Sequence, residues 1–176
     1  MRAPDPILVS FFAAGVPISQ GSKRHVGGGR MIESSRKLMP WRAKVADAAE
    51  QAMAGKPLLD EPLWMAALFC FWRPKAHYRT GKYSHFLKPS APSNPPSYPD
   101  LEKLVRATND AMEGIVFRND SLVCRLHAEK VYRERLGVFI AIGTMDAPMP
   151  TRLLDASDGD IHQAAAVQRM VERSAH

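Results

Sequence analysis

Between Pro99 and Met112 the chain reads Pro-Asp-Leu-Glu-Lys-Leu-Val-Arg-Ala-Thr-Asn-Asp-Ala-Met, and Arg118-Asn119-Asp120 follows a short apolar stretch. Asp100, Glu102, Asp110 and Asp120 thus place several carboxylates within about two helical turns and one loop of each other, with Arg106 among them. Carboxylate oxygens are hard ligands suited to Mg²⁺, and a cationic side chain beside them can neutralise a phosphate; metal-assisted phosphodiester hydrolysis needs both. Singly, each residue has a plainer reading. Asp100 after Pro99 suits a helix N-cap, Arg106 and Asp110 suit an i, i+4 ion pair, and Asn119-Asp120 suits a turn. Their clustering favours chemistry.

These groups need elements to hold them. Leu101, Leu104, Val105, Thr108, Ala111 and Met112 recur at helical spacing, which predicts a helix from about Leu101 to Glu113 that stops at Gly114. A second helix is expected over Pro40 to Ala54, from the spacing of Trp41, Val45, Ala48, Ala49, Ala52 and Met53. Ile7 to Ala14 reads as a strand ending at Gly15-Val16-Pro17. Gly27-Gly28-Gly29 reads as a turn into a short strand from Arg30 to Glu33, since no Gly-x-x-x-x-Gly-Lys-Ser/Thr phosphate loop is present. Leu63 to Trp72 is nearly all apolar and reads as a central strand buried on both faces. Val116-Phe117, Leu122 to Leu126 and Val138 to Ile142 are further strand material, so the pattern is α+β.

Length and composition fit one domain: 176 residues, 45% apolar and 24% charged. The apolar run from Leu63 to Trp72 is too short to cross a membrane, and Met1 to Asp5 lacks a signal-peptide pattern. Cys70 and Cys124 lie in apolar runs without a Cys-x-x-Cys spacing; they read as buried free thiols of a reducing cytoplasm, with a disulfide as the alternative. The six histidines show no zinc spacing.

The net charge of +6 is unevenly spread: residues 1 to 99 hold 14 Lys/Arg against 6 Asp/Glu, whereas residues 100 to 143 hold 7 of each. One basic stretch contains Lys23, Arg24, Arg36, Lys37 and Arg42. The other, acid-free from Arg73 to Pro99, contains Arg73, Lys75, Arg79, Lys82 and Lys88. DNA or RNA suits this footprint, and a solvated surface is the equal alternative on charge alone. In the second stretch Pro74, Pro89, Pro92, Pro95, Pro96 and Pro99 preclude regular structure, while Tyr78, Tyr83, Phe86 and Tyr98 alternate with the cations. Such a segment suits a mobile flap that grips phosphates and stacks on unpaired bases; a surface linker is the plain alternative.

Pro99 to Ala107, Asp110-Ala111-Met112, Asn119-Asp120-Ser121-Leu122-Val123 and Lys130 together resemble the signature of RusA-type Holliday-junction resolvases, crossover junction endodeoxyribonucleases often carried by phages and prophages. Gly15-x-Pro17-x-x-Gln20-Gly21-Ser22-Lys23-Arg24 and Pro40-Trp41-Arg42 are also similar to that family. The resemblance covers residues 8 to 143 in consistent order. It implies a single domain, with a small mixed sheet packed with two main helices over residues 1–143. Residues 144–176 form an extension outside it, whose 160–173 portion has the composition of a helix.

Carried over by position, the resemblance implies catalytic Asp100, Glu102, Arg106, Asp120 and Lys130. Of these, Asp100, Glu102 and Asp120 would hold Mg²⁺, or Mn²⁺ in its place. The family's second aspartate is Glu102 here, its helical lysine is Arg106, and the first acid of its later pair is Asn119. Asp110 and Asn119 are possible supports, and Lys103 joins the two basic stretches as a DNA contact. The implied activity is resolution of four-way DNA junctions in recombination and repair. A homodimer is implied as well, since two symmetric nicks need two sites related by a two-fold axis. A non-catalytic binder of branched or single-stranded DNA is the alternative.

Overall fold

The structure is a computed structural model, and residues 7–21, 23–25, 31–33 and 36–149 are described. Its centre is a four-stranded mixed sheet with strand order β1-β6-β4-β5, formed by β1 (Val9–Ala14), β4 (Leu63–Phe71), β5 (Val123–Tyr132) and β6 (Gly137–Thr144). β6 runs antiparallel to both β1 and β4, and β4 runs parallel to β5. A separate two-stranded ribbon pairs β2 (Lys23–His25) with β3 (Met31–Glu33). The glycines expected to turn between them, and the 160–173 helix, lie outside the described residues.

β4 is the central strand that its unbroken apolar run predicts, because it has a neighbour on each side and a covered surface above and below. Leu63, Met65, Ala67 and Phe69 join the core under the helices, while Trp64, Ala66, Leu68 and Cys70 join a second cluster on the opposite face with Phe139 and Ala141. α1 (Leu38–Met53) turns Trp41, Val45, Ala49 and Met53 into the first core, and α2 (Leu101–Met112) adds Leu104, Val105, Ala111 and Met112. The buried hydroxyl of Thr108 donates to the Leu104 carbonyl at 2.9 Å, so this inward polar residue leaves no unsatisfied donor.

Two features fix α2 to the rest. Arg42 of α1 pairs with Asp110 of α2 in a partly buried ion pair. This is not the Arg106–Asp110 pair that the i, i+4 spacing suggests, because Asp110 faces α1 while Arg106 faces solvent beside Glu102. Beyond α2, Asn119 accepts a hydrogen bond from Ser121 N and donates one to Glu113 Oε1, which holds the turn into β5.

β5 differs from expectation in two ways. It extends to Tyr132, through His127, Glu129 and Lys130, where polar residues hide the strand from a hydrophobicity pattern. It is also an edge strand, which leaves Cys124 exposed, not buried; Cys70 is buried as expected, and no disulfide joins the two. Val116-Phe117 forms no strand and meets Leu59 through a single bridge. No helix among the described residues is long and apolar enough to cross a membrane.

Two substitutions test this framework. At Gly137, opposite Ala14, an added Cβ would stand 2.3 Å from the Ala13 carbonyl oxygen and 2.4 Å from the Phe12 ring, so Gly137→Ala is expected to destabilise by about 2 kcal/mol or more. Arg42→Ala leaves the Asp110 carboxylate partly buried without its cation and should cost about 2 kcal/mol. Denaturant titration reads both; unchanged midpoints would contradict the packing described.

Candidate functional site

Asp100 occupies the N-cap position of α2, yet its side chain makes no capping hydrogen bond. The plain reading of this residue is therefore not what the fold uses it for. Its carboxylate instead pairs with Lys103 at 2.9 Å, one turn along, with both side chains about half exposed. The hydrogen bond to Asp100, and then the attraction of its charge, raise the Lys103 ammonium above its ordinary value of 10.5. Lys103 is thus charged at neutral pH, and on the alkaline side the pairing is lost as pH rises through that raised value. Glu102 is held more loosely by Arg106, at 3.4 Å. Both carboxylates sit at the helix N-terminus, where backbone N–H groups favour negative charge.

Lys130 stands on β5, and its ammonium donates to the carbonyls of Ser97 at 2.7 Å and Pro99 at 3.0 Å. It therefore fixes the backbone immediately before Asp100. Tyr98, between those two carbonyls, is exposed, and its hydroxyl accepts from Ser19 Oγ at 2.9 Å. Gln20 N donates to the Lys103 carbonyl at 3.1 Å, so the segment after β1 lies against the first turn of α2. Ser19 escapes sequence reasoning, and Tyr98 enters it only as one of the aromatics of the basic segment; what no pattern shows is that they meet.

Asp120 opens the short 3-10 turn ahead of β5, next to Asn119, whose amide reaches Glu113 at the C-cap of α2. Asp100 stands at the other end of the same helix, roughly 18 Å along its axis. Among the described residues, no three His, Cys, Asp or Glu side chains are grouped so that they could hold one metal ion. The expected convergence of Asp100, Glu102 and Asp120 is thus not present as a three-carboxylate group within one chain. What α2 offers at its start is a pair of hard oxygen donors, Asp100 and Glu102. Such oxygens are the donor type that Mg²⁺ takes, commonly one or two carboxylates together with waters and substrate phosphate oxygens.

The expected DNA contacts divide into two sets. Arg42 is engaged by Asp110, and Arg73 donates to the carbonyls of Pro92 at 2.7 Å and Ser93 at 3.2 Å while stacking 4.1 Å from the Tyr132 ring. Lys103 holds Asp100. Arg36, Lys37, Lys75, Arg79, Lys82 and Lys88 are exposed. Lys23 and Arg24 lie on β2, and their side chains are outside the described residues.

The comparisons add what geometry alone does not. No curated protein matches the chain. The family profile for endodeoxyribonuclease RusA matches residues 14–143, a span that runs from the end of β1 through α1, the Asp100 turn and Lys130 to the end of β6. With that span covering well over half of the sequence, the chain belongs to the RusA endodeoxyribonuclease family.

Proposed function

We propose that this protein resolves four-way DNA junctions as a homodimer, by divalent-metal-assisted hydrolysis of a phosphodiester. The observation that carries the proposal is Asp100: an exposed N-cap aspartate whose side chain does not cap, two residues before Glu102 and directly after the Pro99 carbonyl that Lys130 holds. Family membership supplies the reaction class. A divalent cation bound there would neutralise the scissile phosphate and acidify its water.

The chain's own residues have separable tasks. Asp100 and Glu102 bind the cation, Mg²⁺ or Mn²⁺, through hard oxygens, and Asp120 is a further acidic candidate by family position. Lys103 and Arg106 hold these carboxylates in the free protein; released from them, both cations face an arriving phosphate. Exposed ion pairs contribute about 0–1 kcal/mol, so this exchange costs little. Arg106 stabilises developing negative charge and cannot act as a proton donor. Lys130, with its ammonium committed to two carbonyls, is a positioning residue. One observation favours a second reading, a branched-DNA binder without chemistry: among the described residues a single chain has no three-carboxylate group.

A labelled synthetic four-way junction with Mg²⁺ separates the two readings. Asp100→Asn is expected to lower cleavage by about 100-fold or more while junction affinity holds or rises, because a negative charge beside the phosphate is removed. Near-normal cleavage by both Asp100→Asn and Asp120→Asn would remove the site assignment, and absence of cleavage by the unaltered protein would establish the binder. Lys130→Met should reduce cleavage more than affinity, through displacement of the Pro99 backbone; equal losses would make Lys130 a DNA contact instead.

Neutralising Lys75, Arg79, Lys82 and Lys88 together should flatten the dependence of log affinity on log salt, by roughly 0.9 for each phosphate no longer neutralised. An unchanged slope would make the segment a spacer. Light scattering is expected to show a dimer, and a junction should outcompete linear duplex of the same sequence; a monomer or equal competition would count against junction resolution.

A further inference from the structure

The basic proline-rich segment, expected as a flap, is hydrogen-bonded across itself. Tyr78 and Leu87 form an antiparallel bridge, Arg79 N donates to the Phe86 carbonyl at 2.9 Å, and Lys88 N donates to the His77 carbonyl at 2.8 Å. Ser84 N to Gly81 O, at 3.1 Å, and Phe86 N to Tyr83 O, at 2.9 Å, close the end. The result is a short finger. Its base is tied to β5: His77 meets the Tyr132 ring edge-on at 5.6 Å, and Arg73 clamps the returning chain at Pro92 and Ser93 while stacking on the same ring.

Among the described residues, nothing comparable covers the tip. Tyr83, Phe86 and Leu87 are 48%, 52% and 42% exposed, although each could stabilise the fold by burial. They form a patch: the rings of Tyr83 and Phe86 lie 6.5 Å apart, His85 packs 4.1 Å from Phe86, and the Lys82 ammonium sits 5.0 Å from the Tyr83 ring. Clustered apolar rings held by a braced backbone, and left in water, mark a contact surface. The surrounding cations, with no acid between Arg73 and Pro99, select a polyanion over a protein partner.

We infer that the finger tip is an aromatic wedge, in which Tyr83 and Phe86 stack on unpaired bases beside a DNA branch point while Lys82 contacts the adjoining phosphate. In an intact duplex each base face is covered by its neighbours, so exposed rings gain a stacking partner only where a step is open; in single strands and at branch points such faces are available. The inference rests on the proposed action on branched DNA and adds the feature by which a branch is told from a duplex.

The test measures affinity in EDTA, where no cleavage intervenes, using a single-stranded oligonucleotide, a four-way junction and a linear duplex as probes. Tyr83→Ala and Phe86→Ala are each expected to weaken single-strand and junction binding by about tenfold or more, with duplex affinity unchanged. Trp at either position, which keeps a ring face, should restore binding, whereas Leu should not. Because both side chains are exposed, the unfolding midpoint should not move. Unaltered affinity for single strand and junction, or an equal loss on all three DNAs, would overturn the wedge. Junction cleavage by the unaltered protein with Mg²⁺ is measured alongside. If that cleavage occurs but the Ala variants bind normally, only the wedge fails; if the variants lose single-strand binding but no cleavage occurs, the wedge stands and the resolvase reading fails.

Discussion

The arrangement of the site depends on one ammonium group. Lys130 is on an edge strand, and its ammonium reaches the carbonyls of Ser97 and Pro99, which belong to the chain just before α2. Asn94 completes the seam from the other direction by donating to the Lys130 carbonyl at 2.8 Å. A lysine ammonium offers three donors and no acceptor, so two carbonyl partners suit it well and commit it. Through these contacts the irregular segment 92–99 lies along β5, whose outer edge would otherwise present unpaired backbone groups. The same contacts set where α2 begins, and with it where Asp100 stands.

The distribution of ion pairs separates framework from function. Arg42–Asp110 is partly buried between helices, where breaking a pair is costly because an uncompensated charge remains. Asp100–Lys103 is about half exposed and Glu102–Arg106 largely so, where solvent screening makes the pairs weak and exchangeable. A metal or a phosphate can thus replace the partners at the start of α2 without loosening the helix from the core. Charge counting along the sequence could not separate these cases. Arg42 and Arg73 add to the basic excess, yet both guanidiniums are engaged inside the fold; Lys75, Arg79, Lys82 and Lys88 remain directed to solvent.

What was legible in the sequence was what periodicity and apolar runs encode. The β4 run, the spacing of Leu104, Val105, Thr108 and Met112, and the order of the family motif led to the sheet centre, to α2 and to the family. Long-range pairings were not legible. The spacing of Arg106 and Asp110 offered a local pair, but Asp110 found its partner 68 residues away on α1. The polar end of β5 escaped the strand reading, which stopped at Leu126, because an edge strand need not alternate cleanly. Six prolines in the finger and the chain after it implied irregularity, which is correct for the ladder and wrong for the tethering, since Arg73, Asn94 and Lys130 bind carbonyls, and proline retains its own.

The topology explains why the finger and the carboxylates belong together. β4 and β5 are adjacent and parallel, so the chain leaving Phe71 must return to the other end of the sheet before it can pair again. A helix alone satisfies that need in many folds. Here the connection carries the finger first and α2 second, and both are fastened to the final residues of β5, through Tyr132 and Lys130 respectively. Two residues near the end of one strand thus set the spacing between the exposed aromatic tip of the finger and the two carboxylates at the start of α2. A change at either anchor alters not only local stability but also the distance between these two surfaces.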